Sequence, residues 1–553
     1  MYTALNLMGA RYLECDFLCV GGGLGGLAGA ITAHDAGLDV LVLEKSGLLG
    51  GVAAYSGGVV WVPDNHLQAD AGYPDTLDAA AAYLHWLTPK GIDIDGPLRT
   101  AYLQQARHVF EYFTNQVGIP FEVAPRPDQY YPDAAGSLAG GRTLEVSFPG
   151  TELGSWQPLT RTSPLFKVGL THAEVLSNGG PLVAYEKLST LYASRQADDY
   201  RTHGPGLVAA FVKAAQVDRS IPTHLNAPVV ELWQEDGAVL GVSAVIDGSP
   251  VRIRARRGVL IATGSYGHAD YAASMEGLPD VADATPPFMT GDGLSLTDPT
   301  PAATVRAGDA IIHVGYASPG ESHADTSDAL VRPVYRALGC PHTIAVNRRG
   351  RRFADESFYG RFFPALRAFD PQQKEFLNYP CYLIADDRFR SRYGLPPYEP
   401  GDTWPDEMTH ADTLAELAKQ IDIDPQALEA EVAAFNQHAN EGVDPDFGRG
   451  EIEYSRLAFG DPEYPNPNLG AIEQSPFWAL PLRFTGLGIY SLGLHIDPRG
   501  RTLTRAGQPV PGLYATGNAV AYTELPSAYT GGFANGRNII YAHAAANDAA
   551  RVG

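Results

Sequence analysis

Residues 15–45 read CDFLCVGGGLGGLAGAITAHDAGLDVLVLEK and place a glycine-rich turn between two apolar runs. We predict a short buried strand over residues 16–20, a helix of small residues over 24–36 and a second strand over 39–43. A strand, a glycine-rich turn, a helix and a second strand are typical of a dinucleotide-binding unit. The stretch therefore predicts an α/β fold class.

The glycines at the first turn have the spacing that such a unit needs. Gly21, Gly23 and Gly26 form G-x-G-x-x-G between the strand and the helix. The first glycine makes the tight turn, the second lets the backbone approach a pyrophosphate, and the third lets the helix pack on the strand. Glu44 stands eighteen residues after Gly26, where a carboxylate accepts both hydroxyls of a ribose that carries no phosphate.

Further glycine-rich stretches favour FAD over NAD. Residues 44–63, EKSGLLGGVAAYSGGVVWVP, suit a loop that runs along a pyrophosphate toward an isoalloxazine ring. Two predicted buried strands end in Ala-Thr-Gly, at residues 262–264 and 515–517, so both ends of the chain reach a long cofactor. The residues predicted to bind FAD in these stretches are Gly21, Gly23, Gly25, Gly26, Glu44, Lys45, Gly51, Ser56, Gly57, Gly58, Ala262, Thr263, Gly264, Gly517 and Asn518.

Composition limits the class of protein. The chain has 553 residues, of which 45% are hydrophobic, so it can bury a large core. A net charge of −23 argues against a nucleic-acid partner, because no basic surplus is present to neutralise phosphates. Cys15, Cys19, Cys340 and Cys381 have neither metal-ligand nor disulfide-framework spacing, so we predict no metal site and a reducing compartment.

The first twenty residues lack the basic start, apolar core and small-residue cleavage site of a signal peptide. The apolar stretch that follows is interrupted by six glycines and by Asp35, which does not fit a transmembrane helix. We therefore expect a cytoplasmic protein, and peripheral contact with a membrane stays open.

Nearly the whole chain resembles the 3-ketosteroid dehydrogenase branch of the fumarate-reductase-like flavoproteins. The resemblance implies a Rossmann-like FAD-binding domain built from both ends of the chain, at residues 1–284 and 476–553. It also implies an inserted α+β substrate-binding domain at 285–475. Beside residues 15–45, the stretches that carry the resemblance are SGGVVWVPDN (56–65), YYPDAAGSLAGGRTLE (130–145), MTGDG (289–293, with Asp292 as a further FAD residue), IAVNRRGRRFADESFYG (344–360), FGRGEIEYSRLAFGDPEYPNPNLG (447–470) and PGLYATGNA (511–519).

The activity that the resemblance implies is oxidation of a hydrophobic cyclic ketone to its enone. This chemistry requires donors for the developing enolate oxygen and a base for the proton on the alpha carbon. Tyr529 and a backbone N–H of Gly532 or Phe533 match the oxygen site of the family, although Phe533 stands where the family usually has glycine. Tyr359 matches the residue that takes the alpha proton in the family. Tyrosine has a reference pKa of about 10, so a second tyrosine must assist it, and Tyr130 and Tyr131 are both candidates.

Two departures weaken the steroid assignment. Residues 488–497, GIYSLGLHID, replace the usual Gly-Thr-Lys-Gly-Gly, and Trp478 replaces a tyrosine; we expect both changes to lie near the flavin and the pocket. A 3-ketosteroid and a simpler cyclohexanone both stay open as substrates. A 3-ketosteroid Δ4-dehydrogenase is a further alternative.

Two other classes also remain open. A fumarate- or urocanate-type reductase would need a cluster of basic side chains for carboxylates, and the candidates are Arg332, Arg336, His342 and Arg537. The other class is a flavin-binding protein without catalytic activity. Because no second G-x-G-x-x-G and no haem motif occurs, we expect a quinone or another acceptor, rather than NAD(P), to take the electrons.

Overall fold

The computed structural model describes residues 11–91, 96–128, 130–323, 326–405 and 408–552. The first sheet joins the two ends of the chain, with a neighbouring hairpin on one of its strands. In spatial order its strands are Arg501–Leu503, Pro509–Ala515, Ser249–Ile261, Arg11–Val20, Val40–Leu43 and Thr223–His224, and the hairpin is Val229–Glu235 and Ala238–Ile246.

The predicted dinucleotide-binding unit is confirmed. Strand Arg11–Val20 is followed by helix Leu24–Asp35 and by strand Val40–Leu43, which lies parallel to the first strand with Phe17 opposite Val40. The strand is longer at its start than predicted, because its exposed first residues pair with Ser249–Ile261. Strand Pro509–Ala515 also runs parallel to Ser249–Ile261, so both ends of the chain build this sheet.

The glycines have the geometry that the motif requires. Gly21 has a φ of +113°, a conformation that suits glycine. A Cβ atom on Gly26 would lie 1.9 Å from the carbonyl oxygen of Gly21, so only glycine lets the helix pack this closely. A Cβ atom on Gly23 would meet nothing nearer than the Cα atom of Gly51, at 3.8 Å, so space is open beside this backbone.

A second sheet lies in the middle of the chain. Its strands, in spatial order, are Ala329–Pro333, Ile311–Ser322, Phe477–Ile489, Cys381–Ala385 and Thr343–Asn347, with Ala282–Asp283 and His410–Ala411 paired to Phe477–Ile489. Strand Phe477–Ile489 thus pairs in this sheet, although the predicted boundary at 475 assigned it to the C-terminal FAD piece. The domain boundaries otherwise stay predictions.

Smaller sheets of two or three short strands accompany the two large sheets. They are Val60–Trp61 with Thr143–Val146 and Phe121–Val123, Phe148–Pro149 with Tyr200–Arg201, Thr304–Arg306 with Leu492–Leu494, and Phe369–Asp370 with Glu375–Phe376.

The helices cover both sheets. Two helices that pack beside the second sheet are Leu414–Gln420 and Pro425–Glu441. The remaining α-helices are Leu24–Asp35, Leu77–Leu87, Gly96–Tyr112, His172–Ser177, Pro181–Lys187, Ser189–Ala197, His203–Val212, Ala272–Glu276, Asp292–Thr297, Tyr335–Gly339, Tyr359–Leu366, Asp387–Arg392, Glu453–Phe459 and Phe533–Arg551.

Within the part of the chain that the structure describes, no helix is both long enough and apolar enough to cross a bilayer. The same residues contain no cluster of side chains suited to a metal ion. Cys15, Cys19, Cys340 and Cys381 are free and buried.

Candidate active site

A cavity lies where the parallel strands of the first sheet end. Ligand sites of α/β proteins usually lie at this edge. The predicted FAD residues that line the cavity are Gly21, Gly23, Gly25, Glu44, Lys45, Gly51, Ala262, Thr263, Gly264, Asp292, Gly517 and Asn518.

Four other predicted FAD residues have different surroundings. Gly26 packs the helix against Gly21, as its spacing predicted. Ser56 accepts the N–H of Gly58 at 3.0 Å, and the carbonyl of Gly57 accepts His172 Nε2 at 2.8 Å. These contacts shape the loop over residues 56–58.

Glu44 and Lys45 are held at the cavity rim. One carboxylate oxygen of Glu44 accepts the N–H of Gly22 at 2.7 Å, and the other accepts the N–H of Ser46 at 2.8 Å. Each carboxylate oxygen has a second lone pair, so Glu44 can still accept ribose hydroxyls. Lys45 Nζ lies 2.8 Å from Asp292 Oδ2 and joins the first glycine-rich region to helix Asp292–Thr297.

The polar atoms of the cavity fit FAD. Thr263 Oγ1, Asn518 Oδ1 and Asn538 Oδ1 are buried and have no hydrogen-bond partner in the structure, and all three residues line the cavity. Buried polar atoms normally have partners, so these atoms indicate a polar ligand. The start of helix Leu24–Asp35, with Gly23 at its N-cap, offers backbone N–H groups to a diphosphate.

The structure brings Tyr130, Tyr359 and Tyr529 together. The ring of Tyr130 lies 4.6 Å from that of Tyr359 and 5.9 Å from that of Tyr529, between centroids. The hydroxyl groups of Tyr130 and Tyr359 are hydrogen-bonded. Tyr131 instead packs against Phe358, with 5.8 Å between ring centroids, and against Trp86.

Tyr529 and Gly532 form a second convergent pair. The Gly532 N–H donates to the hydroxyl oxygen of Tyr529. The Phe533 N–H donates to the carbonyl of Thr530 at 3.2 Å, so this amide is already engaged. The Phe533 ring is fully buried and stacks on Tyr102 with 4.2 Å between centroids. Of the two predicted backbone donors, the Gly532 N–H thus contacts the Tyr529 hydroxyl. The Phe533 side chain packs in the core.

Electrostatics in the cluster favours protonated phenols. Burial raises the pKa of Tyr130 and Tyr359 well above 10, and it raises the pKa of Tyr529 as well. The Tyr130–Tyr359 hydrogen bond raises the pKa of Tyr359 and partly offsets the effect of burial on the pKa of Tyr130. The positive charge of Arg126 opposes the effect of burial on Tyr130 and Tyr529.

Three neighbours of the cluster were not predicted from sequence. His313 lies 4.6 Å from the Tyr359 ring, and burial lowers its pKa to about 4. Tyr454 lies 5.4 Å from the Tyr130 ring. Tyr454 lies within residues 447–470, a stretch that carries the family resemblance, so the sequence gives a signal for this residue. Arg126 precedes Tyr130 by only four residues, whereas His313 lies in an ordinary strand and gives no signal.

A buried ion-pair network fixes the loop that carries Tyr130. Asp128 accepts Trp61 Nε1 at 2.9 Å, the Leu138 N–H at 2.9 Å and Arg142 Nη1 at 2.7 Å. Arg142 also pairs with Asp75 at 2.7 Å, and its side chain is 1% exposed. The network holds Asp128, which lies two residues before Tyr130, and therefore restricts the position of that tyrosine.

Three of the four candidates for a dicarboxylate site contact separate partners. Arg332 pairs with Glu321 at 2.6 Å, Arg537 pairs with Glu524 at 2.9 Å, and His342 Nε2 lies 2.6 Å from the Tyr464 hydroxyl.

Two further residues in the middle of the chain, Arg352 and Trp478, also contact structural partners. Arg352 pairs with Glu356 at 2.7 Å inside the second core. Trp478, which we expected near the pocket, packs in the second sheet against Trp404 and His410, at 4.8 and 4.7 Å between ring centroids.

Together, the first sheet and its cavity define an FAD-dependent flavoprotein. The family model described as FAD binding domain matches residues 16–532. The chain belongs to this family and, within it, to the 3-ketosteroid dehydrogenase branch of the fumarate reductase flavoproteins. The resemblance seen in the sequence is therefore confirmed, and the protein is an FAD-dependent oxidoreductase.

Similar proteins span nearly the whole chain. The 4-oxocyclohex-2-ene-1-carboxylate 5-dehydrogenase of Sinomonas cyclohexanicum is 31% identical, over 98% of this chain and 95% of that protein. The 3-oxosteroid 1-dehydrogenase of Mycobacterium tuberculosis (strain ATCC 25618 / H37Rv) is 30% identical, over 92% and 93% of the two chains. The solved structure of 3-ketosteroid delta1-dehydrogenase from Sterolibacterium denitrificans, in complex with 1,4-androstadiene-3,17-dione, has a TM-score of 0.87 and 29% identity, covering 98% and 100% of the two chains.

Proposed function

We propose that the protein oxidises a cyclic ketone to its α,β-unsaturated ketone. The observation that carries the proposal is the convergence of Tyr130, Tyr359 and Tyr529 with the Gly532 amide in one cluster. The names of the similar proteins support it, because a 4-oxocyclohexene carboxylate and a 3-oxosteroid are both cyclic ketones. When bound, FAD supplies the acceptor for the hydride that leaves the beta carbon.

Tyr529 and Gly532 hold the ketone oxygen. In the structure the Gly532 N–H donates to the Tyr529 hydroxyl oxygen. A ketone oxygen that replaces this contact accepts one hydrogen bond from the Gly532 N–H and one from the Tyr529 hydroxyl. As the alpha proton leaves, negative charge develops on this oxygen and both bonds strengthen. Donors that are already oriented stabilise such an enolate without reorganisation.

Tyr359 takes the alpha proton, and Tyr130 receives the proton that Tyr359 gives up. The hydrogen bond between the two hydroxyls, with 4.6 Å between the ring centroids, provides the path for this proton. The relay requires Tyr130 to be deprotonated before the reaction. Burial raises the pKa of Tyr130, and the Arg126 charge opposes this rise.

The electrons leave through an acceptor other than NAD(P). The sequence contains one G-x-G-x-x-G, and its glycines line or support the FAD cavity. A quinone or an artificial dye is therefore the expected acceptor.

Anaerobic bleaching of the bound flavin tests the proposal. The panel consists of 3-ketosteroids, cyclohexanones with and without a carboxylate, and, for the reduced enzyme, fumarate and urocanate. We expect at least one cyclic ketone to bleach the flavin and to yield its enone. Reoxidation of the reduced flavin by fumarate or urocanate, with no ketone able to bleach it, would overturn the proposal in favour of a reductase.

A further inference from the structure

His313 points away from the core that its own strand helps to build. Its neighbours in strand Ile311–Ser322, Ile312 and Val314, are both buried in a core on one side of the second sheet. Successive side chains of a strand point to opposite faces. The His313 side chain therefore lies on the other face, where its ring is 4.6 Å from the ring of Tyr359.

Tyr359 and His313 belong to a closed circle of aromatic contacts. Successive ring centroids around the circle lie between 4.6 and 5.7 Å apart. No ring contact joins members on opposite sides of the circle, so these described side chains surround a centre that none of their rings fills. His313 borders the same centre as the two tyrosines of the proposed relay. In order, the circle runs through Tyr130, Tyr359, His313, Tyr335, Phe459 and Tyr454 and returns to Tyr130.

The imidazole of His313 has no polar partner within the described part of the chain. The residue is 8% exposed, and burial alone lowers its pKa to about 4, with no hydrogen bond and no charged neighbour contributing. At neutral pH the ring is therefore uncharged and has one N–H donor and one nitrogen acceptor. Neither nitrogen is among the polar atoms that are sealed inside the protein without a partner, so both border a space that a small molecule can enter.

We propose that His313 binds the substrate, and that its imidazole hydrogen-bonds to a hydroxyl group on the ring of the cyclic ketone. The inference rests on the proposed function, which places the ketone beside Tyr359, and it names the substrate class. A hydroxyl group both donates and accepts, so it pairs with either nitrogen of a neutral imidazole. A wholly apolar ring at this place would leave the imidazole without a partner. An ionised substituent would be buried beside His313 without a counter-charge.

Two matched pairs of ligands test this assignment. Each of 3- and 4-hydroxycyclohexanone is compared with the methylcyclohexanone of the same substitution pattern, which keeps the ketone and lacks the hydroxyl group. Anaerobic isothermal titration calorimetry uses the photoreduced, FAD-loaded protein, because a reduced flavin accepts no hydride and the ketone binds without reacting. The measured quantity is the ratio of the affinity for the hydroxyketone to the affinity for its methyl partner.

Substitutions of His313 should change this ratio for one of the two pairs. His313→Phe keeps a ring beside Tyr359 and removes both nitrogens. We expect it to lower the ratio by about 2- to 10-fold, the range for one hydrogen bond between neutral groups. His313→Leu should lower the ratio equally and decides the test if His313→Phe does not retain FAD. His313→Asn should keep most of the ratio, because its amide retains a donor and an acceptor.

Two further substitutions serve as controls. His34 lies on the surface with 43% of its side chain exposed, and His34→Phe should keep the wild-type ratio. Tyr335→Phe, at the neighbouring ring of the circle, should also keep it. A ratio unchanged by His313→Phe or His313→Leu would overturn the assignment, and so would a ratio lowered by Tyr335→Phe alone. Tighter binding of 4-oxocyclohexane-1-carboxylate than of either hydroxyketone, lost in His313→Phe, would overturn the choice of an uncharged substituent.

Binding also separates this assignment from the proposed function. A ratio that depends on His313, with no ketone able to bleach the oxidised flavin, would support the hydroxyl site and contradict ketone oxidation. Bleaching by cyclic ketones, with a ratio that no substitution of His313 changes, would support ketone oxidation and contradict the hydroxyl site.

Discussion

The ring of Tyr130 stands edge-on to the ring of Tyr359, with 4.6 Å between centroids and 86° between planes. Their hydroxyl groups are hydrogen-bonded, whereas Tyr131 packs against Trp86 and Phe358. The sequence left Tyr130 and Tyr131 as equal candidates for the assisting tyrosine. Contact with Tyr359 favours Tyr130, and this choice leads to a direct test.

Replacing the two hydrogen-bonded tyrosines separately should stop proton transfer. Tyr359→Phe removes the group that takes the alpha proton, so flavin reduction should slow by about 10²–10⁴-fold, the contribution of a general base. Tyr130→Phe should also slow it, by less, because Tyr359 loses its proton acceptor. Anaerobic stopped flow measures the rate, and titration with the enone product should show that affinity is retained.

Tyr131→Phe is the matched control for these substitutions, since Tyr131 lies next to Tyr130 in sequence. The Tyr131→Phe protein should reduce its flavin at a rate within a few-fold of the wild-type rate. A rate for Tyr359→Phe equal to that of the wild type would place the base elsewhere. A larger effect of Tyr131→Phe than of Tyr130→Phe would show that the relay uses the other tyrosine.

Tyr529→Phe should affect both rate and affinity. If the Tyr529 hydroxyl holds the ketone oxygen beside the Gly532 N–H, its loss removes one of two donors to the enolate. Flavin reduction should slow by about 10²–10³-fold. The enone product should also bind more weakly, because this hydrogen bond exists in the ground state as well. Stopped flow and enone titration measure the two effects, and an unchanged enone affinity would contradict the assignment.

The rate of flavin reduction should rise with pH. Burial raises the pKa of Tyr130 and Tyr359 above 10, so the deprotonated fraction that the relay needs is small at neutral pH. Well below the pKa, this fraction grows about tenfold for each pH unit. Stopped flow between pH 6 and 10 should therefore show a steady increase. A rate that is flat over this range would exclude a phenol as the base.

The sequence predicts FAD and its dinucleotide-binding unit, because local rules govern that unit. The spacing of Gly21, Gly23 and Gly26 sets a turn, a close approach and a helix contact within one short stretch. The cluster around Tyr359 depends on residues that meet only in the folded chain. Arg126, His313 and Tyr454 come from a loop, a strand and a short helix, so sequence spacing does not reveal their proximity.

The second sheet also depends on contacts between residues that are distant in the sequence. The predicted boundary at 475 places the return to the FAD-binding piece before strand Phe477–Ile489. That strand pairs with Ile311–Ser322 and Cys381–Ala385 in the second sheet. Pairing between strands that lie far apart in the chain depends on tertiary packing, which local sequence patterns do not show.

Two glycines of the same motif should respond differently to alanine. Gly23 has a φ of −77°, and an added Cβ atom would lie 3.8 Å from its nearest neighbour, so Gly23→Ala fits the protein without cofactor. Its methyl group would occupy the space in which we expect the pyrophosphate. We therefore expect Gly23→Ala to lose FAD while the melting temperature of the cofactor-free protein changes little. Flavin absorbance of the purified protein and thermal unfolding of the stripped protein measure the two effects.

Gly26→Ala should instead weaken the fold itself. Its Cβ atom would lie 1.9 Å from the Gly21 carbonyl oxygen, so the helix must move away from the strand, at a cost of about 1–3 kcal/mol or more for overpacking. The stripped Gly26→Ala protein should melt below both the stripped wild type and stripped Gly23→Ala. If Gly23→Ala retained FAD like the wild type, the pyrophosphate would not pass this backbone. If the two stripped variants had the same melting temperature, the contact between Gly26 and Gly21 would not explain why the motif has glycine at its third position.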